Sequence, residues 1–408
     1  MAKLAVKGGE SVRKKPWPQW PIFDDREVEA VKEVVQSGVW GIGGKKVKEF
    51  EEKFASYQQA RHGVAVTSGT VGLEVALRSL GVKAGDEVIM PAYTFMATST
   101  AALQVDVLPV FADIDPSTYN LDPKKVEESL TDKTKVILPV HIGGCPADMD
   151  GIMRVAKKNG LKVIEDACQA WGAEWKGRRV GTIGDLGVFS FQSSKNITSG
   201  EGGMILTNDR QLYELCWSYH NCGRLVDGAW YQHELPGFNY RMTEFQAAVL
   251  MVQLSRFDEH TKTRDANATY LSKELSKMGS VEPLRRSKEV TRHAYHLYMF
   301  KYGKEEFGGL PRNKFIEALN AEGIPCSPGY TAPLHRQGFM LKLAQDPLYC
   351  KLYGERADYG AVKLPVTERA CYEEAVWLKQ SMLLGTREDM DTIINAVAKV
   401  KENLEELA

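Results

Sequence analysis

A single lysine, Lys195, stands between the apolar run Phe189-Ser190-Phe191 and the glycine turn Gly200-Glu201-Gly202-Gly203. Loop lysines are ordinarily solvated, but one drawn inward beside buried strands becomes a nucleophile, because desolvation favours the neutral amine. Two other segments place complementary groups at strand ends. The strand-like stretch LKVIED (161–166) finishes on Asp166 and continues into Ala167-Cys168-Gln169. The stretch Thr67-Ser68-Gly69-Thr70 leads from a strand into a helix, where backbone N–H groups and a hydroxyl can hold a phosphate. Taken singly, the last two also read as helix caps.

Together, an inward lysine, a carboxylate at a sheet edge and a phosphate turn fit pyridoxal 5′-phosphate (PLP). That cofactor needs an amine to condense with its aldehyde, an anion beside its pyridinium nitrogen and donors for its phosphate. No Gly-x-Gly-x-x-Gly turn follows the first strand, which removes the main dinucleotide-binding alternative, a nicotinamide-dependent oxidoreductase.

Seven short apolar runs must position these groups: VAVTS (64–68), EVIMP (87–91), LPVFA (108–112), KVILPV (135–140), LKVIED (161–166), LGVFSF (186–191) and GMILT (203–207). Amphipathic segments such as TVGLEVALRSLG and DMDGIMRVAKKNG lie between most of them. This alternation predicts an α/β domain, with a mostly parallel seven-stranded sheet covered by helices on both faces. Ligands gather at the carboxyl ends of such strands. Upstream, DREVEAVKEVVQSG reads as a helix with Val28, Val31, Val34 and Val35 on one face, capped by Asp24 or Asp25 and ended by Gly38. A second helix follows in KKVKEFEEKFASY. From Thr243 a capping box with Gln246 opens one long helix. Beyond it the alternating stretch HAYHLYMFKY, a helix in PRNKFIEALNAEG and a last helix in REDMDTIINAVAKVKENLEEL suggest a smaller α+β domain. The expected division is 1–255 and 256–408.

The bulk properties narrow the partners. The 408 residues carry 52 basic and 53 acidic side chains, so there is no basic field for nucleic acid or an anionic membrane. The N-terminal stretch lacks the apolar core of a secretory signal, and no run is long enough to span a bilayer. Seven cysteines without a Cys-x-x-Cys pair read as reduced thiols in a cytoplasmic protein. The eight histidines are scattered. His293 and His296, the closest pair, would face opposite ways on a strand, so no metal site is expected.

The ordered set TSGT, PAYTF, EDACQAWGA, FSFQSSKNITSGEGG and GFNYRMTEFQAA resembles the fold-type I, PLP-dependent sugar aminotransferases of the DegT/StrS type, over nearly the whole chain. The resemblance implies an aspartate-aminotransferase-like fold and gives residues their roles. Lys195 would carry the cofactor and later shuttle a proton between substrate and cofactor. Asp166 would face the pyridine nitrogen, and Gln169 the phenolic oxygen. Phe95 would stack on the ring, although core packing at a helix start is its other reading. Gly69, Thr70 and Ser190 would hold the phosphate. Asn239 and Arg241 would serve the neighbouring subunit, which implies a homodimer with shared active sites; a salt bridge at the long helix is the other reading of Arg241. Related dehydratases carry histidine where Lys195 stands, so transamination is implied.

The substrate implied is a ketone on a sugar nucleotide or a keto-cyclitol, with glutamate or glutamine as donor; the family also includes aminohydroxybenzoate synthases. The stretch Trp377-Leu378-Lys379-Gln380-Ser381-Met382 departs from the proline- and histidine-bearing ending of many sugar-nucleotide enzymes. It is closer to the cyclitol and aminohydroxybenzoate branch. His141, Tyr330, His335 and Arg224 could line a substrate pocket, and for either histidine a structural role is the alternative. A catalytically silent PLP- or sugar-binding regulator is the competing function.

Overall fold

Local sequence explains the strands. In each run, successive side chains point to opposite faces and both sets are apolar, so the strand is stable only when covered on both sides. The computed structural model describes residues 3–407. In chain order the strands are β1 (His62–Val66), β2 (Glu87–Pro91), β3 (Leu108–Ala112), β4 (Thr134–Ile137), β5 (Lys162–Asp166), the short hairpin β6 (Glu174–Trp175) and β7 (Arg178–Arg179), then β8 (Leu186–Ser190) and β9 (Gly203–Thr207). Seven of them form one sheet in the order β1-β9-β8-β5-β4-β2-β3. Six run the same way, and β9 alone runs against its neighbours.

The two sheet faces divide as the alternation requires. Val88, Met90, Val136, Ile164 and Val188 pack against α3 (Gly69–Ser79) and α4 (Ala97–Leu103). Ile89, Ile137, Val163 and Phe189 pack with Phe50 and Phe54 of α2 (Lys46–Tyr57) and with Ile152 of the helix Met149–Asn159. The first helix, α1 (Asp25–Ser37), has the expected ends: Asp24 forms a capping box with Glu27, and Gly38 takes the left-handed conformation. Its valine face differs from expectation. Val34 is buried, but Val28 and Val35 remain exposed, so this chain alone does not cover that stripe.

The helix opened by the Thr243–Gln246 capping box runs unbroken from Glu244–Met278, and residue 255 lies inside it. After it, β10 (Val281–Pro283), β12 (Leu297–Tyr302), β13 (Cys326–Ser327) and β14 (Ala375–Lys379) form an antiparallel sheet, while β11 (Val290–Arg292) pairs with β6. Its core takes Leu271 and Leu275 of the long helix, Ile393 and Val397 of the last helix, and Leu4 from the other end of the chain. Leu334, Tyr349, Tyr353 and Leu364 instead join the core of the seven-stranded sheet. The stretch HAYHLYMFKY is a strand only from Leu297. Tyr295 has φ 47, a conformation that breaks the extended run, and His293 and His296 turn inward. No helix among the described residues is long and apolar enough to cross a membrane.

Candidate active site

Strand ends bring the predicted groups together. Asp166 is the last residue of β5, and its buried carboxylate accepts hydrogen bonds on both oxygens. Thr98 Oγ1 donates to Oδ2 at 2.8 Å and the Cys168 backbone N–H to Oδ1 at 3.2 Å. Thr98 Oγ1 also lies 3.0 Å from Thr94 Oγ1. Two uncharged side chains and a turn thus fix the direction of the anion.

Ser190 ends the adjacent strand β8 and is buried. Beside it the chain enters α3 at Gly69, with Ser68 as the N-cap accepting from the Val71 N–H. A Cβ on Gly69 would stand 2.8 Å from Cys168 Sγ and 2.9 Å from Ser190 Cβ. Gly203 is required for the same reason: its Cβ would meet the Ser68 carbonyl at 2.5 Å. Small residues therefore let the helix start, with Thr70 exposed on it, approach the two strand ends.

Lys195 follows β8 in a turn closed by its N–H to the Gln192 carbonyl. The next residue anchors that turn. Asn196 donates to the Ala294 carbonyl at 2.8 Å, and its Oδ1 lies 3.2 Å from His296 Nδ1. Trp20 Nε1 holds the Ser193 carbonyl from the other side. The Lys195 amine lies 6.0 Å from the Trp171 ring centroid and forms no hydrogen bond or ion pair among the described residues. Burial pushes its pKa down, while Cys168 and Asp166 act in the opposite direction. His296 is held well below its usual range, first by burial and then by the Lys195 and Arg264 cations, so it anchors the loop as a neutral ring.

Gln169 Oε1 accepts from the Gly143 N–H at 2.7 Å, and its Nε2 reaches Tyr330 Oη at 3.4 Å. Tyr330 stands edge-on to Tyr93 and Trp377, and the Trp377 indole donates to Tyr93 Oη at 3.0 Å. Phe95 is 58% exposed just before α4, so core packing does not explain it.

His141, His335 and Arg224 are placed otherwise than a pocket reading expects. His141 is fully buried: Nδ1 accepts from the Ala147 N–H, and Nε2 lies 3.0 Å from Glu165 Oε2. Glu165 in turn accepts from the Gly181, Ile183 and Gly184 N–H groups, which makes the pair an internal staple. His335 is also fully buried, with Nε2 on Glu368 Oε1. Both rings are wholly buried against carboxylates, as the structural alternative expects. Arg224 lies in residues 221–243, an arm without a long helix or strand that links the helix Arg210–His220 to the helix Glu244–Met278; it is bonded to the Trp230 carbonyl and packed on its ring. Arg241 pairs through its backbone with Val66 at the end of β1, but its guanidinium turns to Asn221 Oδ1 at 3.0 Å. Asn239 is exposed on the same arm.

Sequence reasoning did not single out Thr98, Trp171 or Asn196. Thr94 and Thr98 were detectable in principle, since residues four apart share one face of a helix start. The partners of Asn196 are about a hundred residues away, and no local pattern reports them.

Residues 21–398 match the DegT/DnrJ/EryC1/StrS aminotransferase family. The chain belongs to that family. It is therefore an aminotransferase of a PLP-dependent class, and the seven-stranded sheet with its smaller antiparallel sheet is that of its relatives. The chain is 38% identical over 425 residues to the L-glutamine:2-deoxy-scyllo-inosose aminotransferase of Streptoalloteichus tenebrarius, covering 99% of each. Its fold superposes on the crystal structure of 3-amino-5-hydroxybenzoic acid synthase with a TM-score of 0.85, at 35% identity over 95% of this chain and 99% of that one. NtdA from Bacillus subtilis, described with bound PMP, gives a TM-score of 0.80 at 29% identity over 97% of this chain and 87% of that one.

Proposed function

We propose that the chain binds PLP at Lys195 and transfers the amino group of glutamine to a keto-cyclitol. The observation that carries this reading is the unpartnered, partly desolvated Lys195 amine, in the same site as the oriented Asp166 carboxylate. The residues fit the cofactor. Asp166 would face the ring nitrogen, the α3 start with Gly69, Thr70 and Ser190 would take the phosphate, and Phe95 would cover the ring. Gln169 would lie beside the phenolic oxygen.

Bound there, PLP supplies an electron sink that lets a proton leave the carbon bearing the amino group. The chain's own residues do the remainder. Burial leaves the Lys195 amine readier to give up its proton, so it can hold a proton and move it across the substrate face. Thr98 and the Cys168 N–H keep Asp166 aimed, and Asn196 keeps the lysine turn from retreating.

Two features support the substrate class. The wall beside Gln169 is aromatic, built from Tyr330 and Trp377 and backed by the buried Tyr93, and suits a compact hydroxylated ring better than a diphosphate. Relatives similar over their full length act on inososes with glutamine. We also propose a homodimer in which Asn239 and Arg241 serve the partner's site. The arm that carries them exposes apolar surface, with Tyr231 at 85%, and Phe23, Trp40, Val28 and Val35 are exposed as well. A cytoplasmic location is part of the same proposal.

The test is spectroscopic. PLP-loaded protein should absorb in the visible, lose that band on addition of glutamine, and regain it with a keto-inositol but not with a keto-sugar nucleotide. Lys195→Ala should lack the band. A band unaffected by any amino donor defeats the reading, and recovery with the nucleotide alone replaces the substrate.

A further inference from the structure

The turn that carries Lys195 has an inner and an outer side. Its inner side is held by the buried Asn196, through the Ala294 carbonyl and His296. On the outer side Ser193 and Ser194 are exposed, and the chain folds back onto Gln192. The Ser194 N–H donates to Gln192 Oε1 and the Lys195 N–H to the Gln192 carbonyl, each at 2.9 Å. Among the described residues the Ser193 carbonyl accepts one hydrogen bond, from Trp20 Nε1 at 3.1 Å. That contact joins residues 173 positions apart, two residues before the amine.

Trp20 is itself fixed from both directions of the chain. Upstream, the N-terminal strap is tied to the C-terminal part of the molecule. Leu4 enters its core, and the fully buried Glu322 carboxylate accepts from the Ala5 and Val12 N–H groups and pairs with Lys399. Arg13 pairs with Asp389, and Trp17 Nε1 donates to the Gly323 carbonyl at 2.8 Å. Downstream, the Ile22 carbonyl accepts from Gln253 Nε2 at 2.9 Å and Arg256 Nη1 at 2.8 Å, both on the long helix. The ring has a seat of its own. Arg264 is fully buried, gives its Nε and Nη2 to Gln380 Oε1, and lies 5.4 Å from the Trp20 ring centroid. A cation at that distance from an aromatic face attracts it and keeps the indole from swinging outward.

We propose that Trp20 is a positioning residue for Lys195: the strap of residues 4–22 carries its indole to the Ser193 carbonyl and restrains the turn from outside. A peptide unit held on one side only rotates about its neighbouring bonds, and the rotation passes along the chain to the lysine Cα. With Asn196 on the inner side and Trp20 on the outer, the segment 193–196 is tied to the body of the molecule at both ends. A reacting group displaced by about 1 Å can lose as much as 10²-fold in rate, so a restraint on the backbone of Lys195 acts on turnover rather than on substrate binding. The catalytic meaning rests on the reading of Lys195 given above, but the restraint on the turn does not.

The experiment compares two equivalent substitutions. Trp20→Phe keeps a ring beside Arg264 and removes the N–H from Ser193; Trp17→Phe makes the same change at Gly323, at the other end of the strap, and is the control. In the cofactor-free full chain, amide hydrogen exchange over residues 192–196 should quicken about two- to tenfold in Trp20→Phe, the factor that one neutral hydrogen bond supports, and stay at the wild-type rate in Trp17→Phe. In the PLP-loaded full chain, Trp20→Phe should lower kcat about fivefold with KM for glutamine within about twofold, while Trp17→Phe keeps both. Urea unfolding places the two variants on one stability scale. Wild-type exchange in Trp20→Phe, faster exchange with unchanged kcat, or the same losses in Trp17→Phe would overturn the proposal. A wild-type chain that gains no visible band with PLP defeats the reading of Lys195 instead, and the exchange rates still decide whether Trp20 restrains the turn.

Discussion

Thr98→Val removes one hydroxyl from the centre of the site and almost no volume. The lost bond is the 2.8 Å donation to Asp166 Oδ2, and Thr94 Oγ1 loses its neighbour at 3.0 Å. All three residues are buried, so bulk water does not replace the donor. A hydrogen bond to a charged group contributes about 1.5–3 kcal/mol net. The cofactor-free variant should therefore unfold in urea with a stability lower by about that amount. Cofactor affinity reads a separate quantity, the freedom the carboxylate gains when only the Cys168 N–H aims it. A loss of about 1.4 kcal/mol there corresponds to roughly tenfold weaker PLP binding, measured by titrating the visible band. Thr98→Ser retains the donor and should recover most of both effects. If Thr98→Val binds PLP with wild-type affinity and unfolds at the same urea concentration, Asp166 does not depend on this bond and the reasoning is wrong.

Other perturbations test separate parts of the structure. Burial holds Lys195 below its ordinary 10.5, so the unfolded chain binds a proton that the folded chain releases, and stability rises with pH through that window. Cofactor-free Lys195→Met should be more stable than wild type near neutral pH, with the gap closing as pH passes 10.5, while transamination is abolished. Burial pushes His220 from 6.5 down to about 4, so its contribution is full above pH 6.5 and disappears as pH falls towards 4. That window is worth about 3 kcal/mol, and His220→Gln should flatten this part of a denaturation-against-pH curve. Gly69→Ala forces a methyl against Cys168 and Ser190, and should cost about 1–3 kcal/mol together with a clear loss of PLP affinity. His141→Leu should lower stability by about 1–3 kcal/mol, because the buried Ala147 N–H loses its acceptor and Glu165 loses one of its partners. Its kcat/KM at low temperature should stay within a few-fold of wild type; a collapse of kcat/KM would return His141 to the pocket.

Much of the fold was legible because strand formation leaves a local record. All seven runs that the alternation marks became strands of the one sheet, since a stretch apolar on both faces has few other stable arrangements. The capping boxes at Asp24 and Thr243 were legible for the same reason, as donor and acceptor lie within four residues. The small sheet was harder to read. β13 has two residues and β10 three, so pairing across long sequence separations defines them rather than their own pattern. The same limit applied to His141 and His335. A histidine after a strand looks alike in sequence whether it faces a ligand or a buried carboxylate.

What the amino-acid order determined by itself is the chemistry: a lysine between a strand end and a glycine turn, a carboxylate closing its neighbour strand, and a Ser-Gly-Thr helix start. These are short-range facts, encoded by residue type and spacing. What only the tertiary structure decided is which groups lack partners. The free Lys195 amine, the Thr98 hydroxyl on Asp166 and the Asn196 anchor on Ala294 depend on segments far apart in sequence meeting at one end of the sheet. Desolvation and hydrogen bonding belong to that meeting, because a polar atom's energy is set by what surrounds it after the chain has packed.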